Sequence, residues 1–77
     1  MKTKNYEMLT FEEAKALKVG DKVKVGLKAG ADGSMVYYDA TVVRPLFWNS
    51  DADEPDWEVE TTFAFVDVYS MYKVVEN

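Results

Sequence analysis

Apolar and polar residues alternate through most of this chain, and the alternation breaks at turn-forming residues. From Lys22 to Lys28, KVKVGLK sets Val23, Val25 and Leu27 on one side and Lys22, Lys24 and Lys28 on the other, which predicts a half-buried strand. Ala29 to Ser34 is a turn, with Asp32-Gly33 its tightest element. Met35 to Val43 resumes as a second strand, with Val36, Tyr38, Ala40 and Val42 sharing one face and Tyr37, Asp39 and Thr41 the other. Pro45 is expected to end it. Trp57 to Thr61 alternates again, with Trp57, Val59 and Thr61 inward. Thr62 to Val68 is nearly apolar on both faces, as a central strand would be. Ser70-Met71-Tyr72 suits one helical turn, and Lys73 to Val75 a short last strand.

Upstream of these strands, Thr10 and Glu13 form a capping-box pair that starts a short helix over 10–17. Phe11, Ala14 and Leu17 make its apolar stripe, and Gly20 is placed to end it. A helix of two turns is too short to stand alone and must lie on something. The elements predict a mainly all-β fold: one domain over 1–77, with 1–9 as a flexible N-terminal arm and 18–75 as a small, bent, five-stranded barrel. The helix plugs or flanks one end. Val23, Val25, Tyr38, Val42, Val59 and Phe65 are its expected core.

Lys18-Val19-Gly20-Asp21-Lys22-Val23, followed by Tyr38-Asp39-Ala40-Thr41-Val42, resembles the opening of Tudor-type domains, with their "VGDxV" first strand and "YxAxV" second strand. The helical turn before the last strand also fits that family. The resemblance spans roughly residues 18–75 and implies an SH3-like barrel used as a binding module. Readers of modified side chains in that family hold a cation in an aromatic cage. Tyr38 matches the family's second-strand tyrosine, but Gly26 to Ser34 lacks the aromatic that the first hairpin usually donates. Read from its own strand pattern, Tyr38 packs in the core with its hydroxyl at the rim.

Composition narrows the chemistry. The 77 residues include no Cys and no His, which removes disulfides, thiolate or imidazole metal sites, haem ligation, and Ser–His or Cys–His catalysis. A chain this short buries only about 60 % of its unfolded surface, so its core must be efficient. No apolar run approaches the roughly 18–20 residues of a membrane span, and the charged N-terminus does not read as a signal peptide. A soluble, cytoplasmic protein is expected. Net charge is −5, unevenly spread: seven Lys against four acids make residues 1–28 positive, while Arg44 and Lys73 face ten acids in residues 29–77.

The acids concentrate in NSDADEPDWEVE, residues 49–60, which holds Asp51, Asp53, Glu54, Asp56, Glu58 and Glu60 and no base. Asn49, Asp51, Asp53 and Glu60 have the first, third, fifth and twelfth positions of a calcium loop, but Glu54 stands where that loop needs Gly and neither flank reads as a helix. No metal or cofactor is expected. Nothing accompanies the acids that would make them catalytic, so a non-enzymatic role is expected. On a strand, Asp56, Glu58 and Glu60 point one way at intervals of about 6.6 Å. That interval is of the order of the phosphate spacing along a nucleic-acid strand, which rises about 3.4 Å per nucleotide and winds as it rises.

The expected function is an acidic interaction domain for a basic protein surface, with Tyr37 and Trp48 as aromatic contacts. Its sharper form is a phage-type inhibitor, of anti-CRISPR or anti-restriction style, filling the nucleic-acid groove of an enzyme in the host cytoplasm. Direct contact with nucleic acid or membrane is not expected. A plain solvated edge, where charge blocks aggregation, also fits the acidic stretch. The alternatives are a Tudor-like reader and a nucleic-acid-binding barrel using Lys22, Lys24 and Lys28.

Overall fold

The computed structural model describes residues 4–76. Six strands form one antiparallel sheet: β1 (Lys4–Met8), β2 (Lys22–Lys28), β3 (Met35–Asn49), β4 (Asp56–Thr61), β5 (Phe65–Asp67) and β6 (Met71–Glu76). Their spatial order is β1-β6-β2-β3-β4-β5. The sheet is open, with six strands where a five-stranded barrel is expected. The additional strand is β1, formed by residues read from sequence as part of an arm; residues 1–3 of that arm lie outside the described ones.

Thr10 starts the helix as its spacing predicts. Its hydroxyl accepts from the Glu13 amide at 3.1 Å, and its own amide donates to Glu13 Oε1 at 3.0 Å. The helix α1 covers Phe11–Lys15, shorter than the expected 10–17. Glu13 Oε2 meanwhile accepts from Lys73 Nζ at 2.5 Å, tying α1 to β6. That bond, followed by the Thr10 amide, holds the Glu13 carboxyl below its ordinary range. The next turn runs Lys18 to Asp21: the Lys18 amide donates to Asp21 Oδ2 at 2.8 Å, and Gly20 takes a φ of +96°, which suits its place in the turn.

β3 is the backbone of the fold. Its first part pairs with β2, from Met35↔Lys28 to Thr41↔Lys22, and its second part with β4, from Val42↔Thr61 to Asn49↔Asp56. Two register shifts, at Val42/Arg44 and Arg44/Phe47, interrupt the part paired with β4. Pro45 does not end the strand as expected. It sits inside the second shift, where its missing N–H breaks no ladder bond. Val23, Val25, Ala40 and Val42 share one core with Val59, Val66, Val68 and Met71.

Two expected core residues lie outside it: Tyr38 is 41 % exposed and Phe65 56 %. Tyr38 faces buried Val25 across the ladder, but β4 pairs with β3 only from Val42 onward, so at Tyr38 the strand has a neighbour on one side alone. Leu27 and Val36, further along the hairpin, are exposed as well. Phe65 fails for a reason of register. Thr61 folds a turn at once, its hydroxyl donating to the Ala64 carbonyl at 2.8 Å and accepting from the Phe63 and Ala64 amides at 3.1 Å each. Residues 62–68 therefore give a turn and a three-residue edge strand instead of a central strand. The pairing Val59↔Val66 turns Val66 inward and leaves Phe65 opposite Glu60 on the outer face. The helical turn falls at Val68–Ser70, two residues earlier than expected.

Candidate functional site

The acidic stretch is the turn of the β3–β4 hairpin and the strand that leaves it. Asn49 organises the turn, its Oδ1 accepting from the Asp51 amide at 3.1 Å while its Nδ2 donates to Glu58 Oε1 at 2.8 Å. Asp51, Asp53 and Glu54 are exposed in the loop. Along β4, Val59 and Thr61 are buried while Asp56, Glu58 and Glu60 stand half-buried on the other face. Asp56 Oδ1 accepts from the Trp57 amide at 2.7 Å.

The neighbours of this row are few and mostly not basic. Glu58 lies between Phe47 and Asp67 across the ladder, and Glu60 between Arg44 and Phe65. The Arg44 guanidinium sits 3.7 Å from the centroid of the Phe47 ring. Phe47 and Phe65 meet edge to face at 6.1 Å. Asp67 Oδ1 is buried without a hydrogen-bond partner. The ion pairs of the described residues are Lys15–Glu12, Lys24–Asp39 and Lys73–Glu13, and none of them uses a carboxylate of residues 51–60.

The two aromatic contacts proposed from sequence part company. Trp48 lies opposite Trp57 in the β3–β4 ladder, with the rings edge to face at 5.7 Å, so it adjoins the acidic row. Tyr37 belongs to a separate cluster, stacked on Tyr6 at 3.9 Å and edge to face with Tyr72 at 5.2 Å. Sequence reasoning missed the aromatic surface beyond Trp48. Trp57, expected inward, is 41 % exposed at the strand's start and meets Phe11 of α1 edge to face at 5.9 Å. That pair lines a cleft of about 360 Å3 with Lys15, Pro45 and Leu46 and another of about 220 Å3 with Met8, Asp56 and Tyr69. The available signal was Asp56-Trp57 directly after Pro55: a strand's first residue lies at the end of the core, where an inward side chain need not be covered.

The lysine face of β2 is partly neutralised. Lys24 is ion-paired with Asp39; the shared hydrogen bond raises the lysine's pKa and lowers the aspartate's. Lys22 and Lys24 line a groove of about 510 Å3 beneath α1, together with Asp21, Glu13 and Lys73, so its charge is mixed. Among the described residues no group of three or more acids or other ligating side chains is arranged to hold a metal ion. No helix among them is long and apolar enough to cross a membrane. Comparison with protein-family models, curated proteins and solved structures gives no match to this chain.

Proposed function

We propose that this chain is a non-enzymatic binding module whose β3–β4 hairpin engages a basic protein surface through Asp51, Asp53, Glu54, Asp56, Glu58 and Glu60. One observation carries the reading: the lysines of the described ion pairs are spent on Glu12, Glu13 and Asp39, while the hairpin's six carboxylates take part in no described ion pair. Uncompensated charge on one face sets up a field that attracts and orients a basic partner. The sharper form is occupation of a nucleic-acid groove on an enzyme, with the carboxylate row standing for phosphates, as an inhibitor of phage type would do in a host cytoplasm. The finer fold reading is an SH3-like barrel of Tudor type, supported by the register shifts in β3 and the 3-10 turn directly before β6.

The test is capture of partners by the full chain at about 0.05 M and 0.5 M salt, where screening shortens from over 10 Å to a few ångströms. Asp56→Asn with Glu58→Gln and Glu60→Gln keeps the acceptors used by the Trp57 amide and Asn49 but removes three charges. It is expected to abolish the salt-sensitive capture. Changing Lys22, Lys24 and Lys28 to Gln is expected to preserve it. The opposite pattern would make the β2 face the interface and the acidic row a solvated edge.

A second reading, a reader of modified side chains, rests on the Tyr38–Phe63 stack, whose rings lie 5.2 Å apart at 21° and are both exposed. Phe63 supplies the ring partner that the first hairpin lacks. Saturable shifts of Tyr38 and Phe63 ring signals with a trimethyl-lysine peptide, absent with the unmodified peptide, would favour it.

A further inference from the structure

The cleft of about 220 Å3 lies between the end of β1, α1, the start of β4 and the 3-10 turn. Buried Leu9 and Val68 form its floor. Met8, Phe11, Trp57 and Tyr69 form its walls, and all four are more than a third exposed, in a chain with little apolar surface to spare. Asp56 is the acidic residue on its lining. Among the described residues its one hydrogen bond is the Oδ1 contact with the Trp57 amide, which leaves Oδ2 to a ligand. None of the walls is Tyr38 or Phe63, so this cleft is separate from that stack.

The chemistry of the lining selects its occupant. Ring faces carry negative potential and so does the carboxylate, so an anion is repelled. A neutral apolar group would strip water from Asp56 and return nothing. A cation with a flat, weakly hydrated body meets both demands, stacking on a ring while donating to the carboxylate. A guanidinium fits this better than an ammonium, which is a compact and strongly hydrated point charge. The size agrees: pockets for drug-sized molecules run to about 300–1,000 Å3, and this one suits a single side chain. The molecule already makes the same kind of contact twice, with Lys15 Nζ 5.9 Å from the Phe11 ring centroid and Arg44 over Phe47.

Asp56 also heads the carboxylate row of β4, so the cleft and the row meet at one residue. We propose that the cleft is the anchor site for one arginine side chain of the basic partner, with the guanidinium held by Asp56 and stacked against Trp57 or Tyr69. The proposal rests on the acidic-face reading and gives it a central contact. Arginine buried in an aromatic pocket is a common energetic centre of interfaces, whereas rim charges mainly steer.

The test is an NMR titration of the full chain with N-acetyl-arginine amide, following the Trp57 indole N–H, the Met8 methyl and the Tyr69 ring. Saturable shifts of all three are expected, at least tenfold weaker with the neutral isostere N-acetyl-citrulline amide and several-fold weaker with N-acetyl-lysine amide. Asp56→Asn is expected to weaken binding at least fivefold. Tyr69→Ala removes a wall that is 70 % exposed, so folding should survive while binding falls. Equal binding of citrulline and arginine would make the cleft a plain apolar pocket and overturn the proposal. So would shifts confined to the Glu58 and Glu60 amides with the cleft signals still, although the acidic-face reading would then stand. Cleft binding that is unchanged in a Glu58→Gln, Glu60→Gln variant supports the anchor even if partner capture proves independent of the row.

Discussion

Thr61 is the buried polar residue of the core, 6 % exposed, and its hydroxyl makes three hydrogen bonds within the turn it begins. Thr61→Val keeps the shape and replaces the hydroxyl by a methyl group. Each lost bond is worth about 0.5–1.5 kcal/mol net. Part of that is recovered, because exposed Phe63 and Ala64 let water reach their amides, and the added methyl returns about 0.8 kcal/mol. The bond from the Thr61 amide to the Ala64 carbonyl, 2.9 Å, remains. A loss of about 1–3 kcal/mol is expected, out of roughly 4–12 kcal/mol for a domain of this length. At 4–8 °C per kcal/mol that lowers Tm by roughly 4–24 °C.

Urea unfolding followed by tryptophan fluorescence is the assay, since Trp48 and Trp57 both report on the hairpin that precedes the turn. Thr61→Ser is the control: it keeps the hydroxyl and loses one methyl, for about 1 kcal/mol. Hydrogen exchange should show the Phe63 and Ala64 amides losing protection in Thr61→Val and keeping it in Thr61→Ser. The reasoning is refuted if the valine variant is as stable as the wild type and the serine variant is the weaker one. Burial of the side chain, not its hydroxyl, would then hold the turn.

Three further substitutions probe other parts of the fold. Gly26→Ala would set a Cβ 2.5 Å from Tyr72 Cε1 and 2.8 Å from Cδ1, so it should cost about 1–3 kcal/mol in urea unfolding and disturb the Tyr37–Tyr72 contact in ring-proton spectra. Asp67→Asn removes one of two carboxylates directly opposite each other in the β4–β5 ladder and offers Glu58 a donor, so the urea midpoint should rise by the equivalent of about 0.2–1 kcal/mol. Glu13→Gln tests the tie to Lys73: because the folded state depresses the Glu13 pKa, its contribution is complete above the ordinary value of 4.5 and fades as pH falls through the folded value. The midpoint difference between wild type and Glu13→Gln should therefore be constant near neutrality and vanish in acid; a difference that persists at the acid end would contradict the ion pair.

Elements governed by short-range rules were legible. The capping box of Thr10 and Glu13 and the alternation of β2 as far as Val25 appear in the fold as the sequence predicts them, because each depends on residues a few positions apart. Leu27, predicted on the same face, is exposed. What the sequence hid was set by distant partners. Residues 4–8 have too little apolar pattern to declare a strand, and they become one because β6 offers an unpaired edge. TFAFVDV reads as a buried strand by composition, yet the Thr61 hydroxyl diverts it into a turn, a local competition that hydropathy does not register. At the site, the carboxylate row followed from strand parity alone. The aromatic cleft did not, since Phe11, Trp57 and Tyr69 lie on three segments that only the folded sheet brings together.

The alternation of β4 gives its charges a second consequence, in folding. A slip of one residue in the β3–β4 register would turn Asp56, Glu58 and Glu60 toward the core and expel Val59 and Thr61. Burying even one unpaired carboxylate costs several kcal/mol, so three of them exclude the slipped state far more strongly than valine packing alone. This register needs such protection, because the two shifts in β3 leave short stretches of ladder on either side of Pro45. The row that presents charge outward thus also fixes which face is outward. Asp56, Glu58 and Glu60 share that outer face, each half-buried, and Asp56 at the strand's start also lines the aromatic cleft. The carboxylate surface is therefore specified by the strand's own pairing, and a substitution that loosens the pairing would blur that surface before it unfolded the protein.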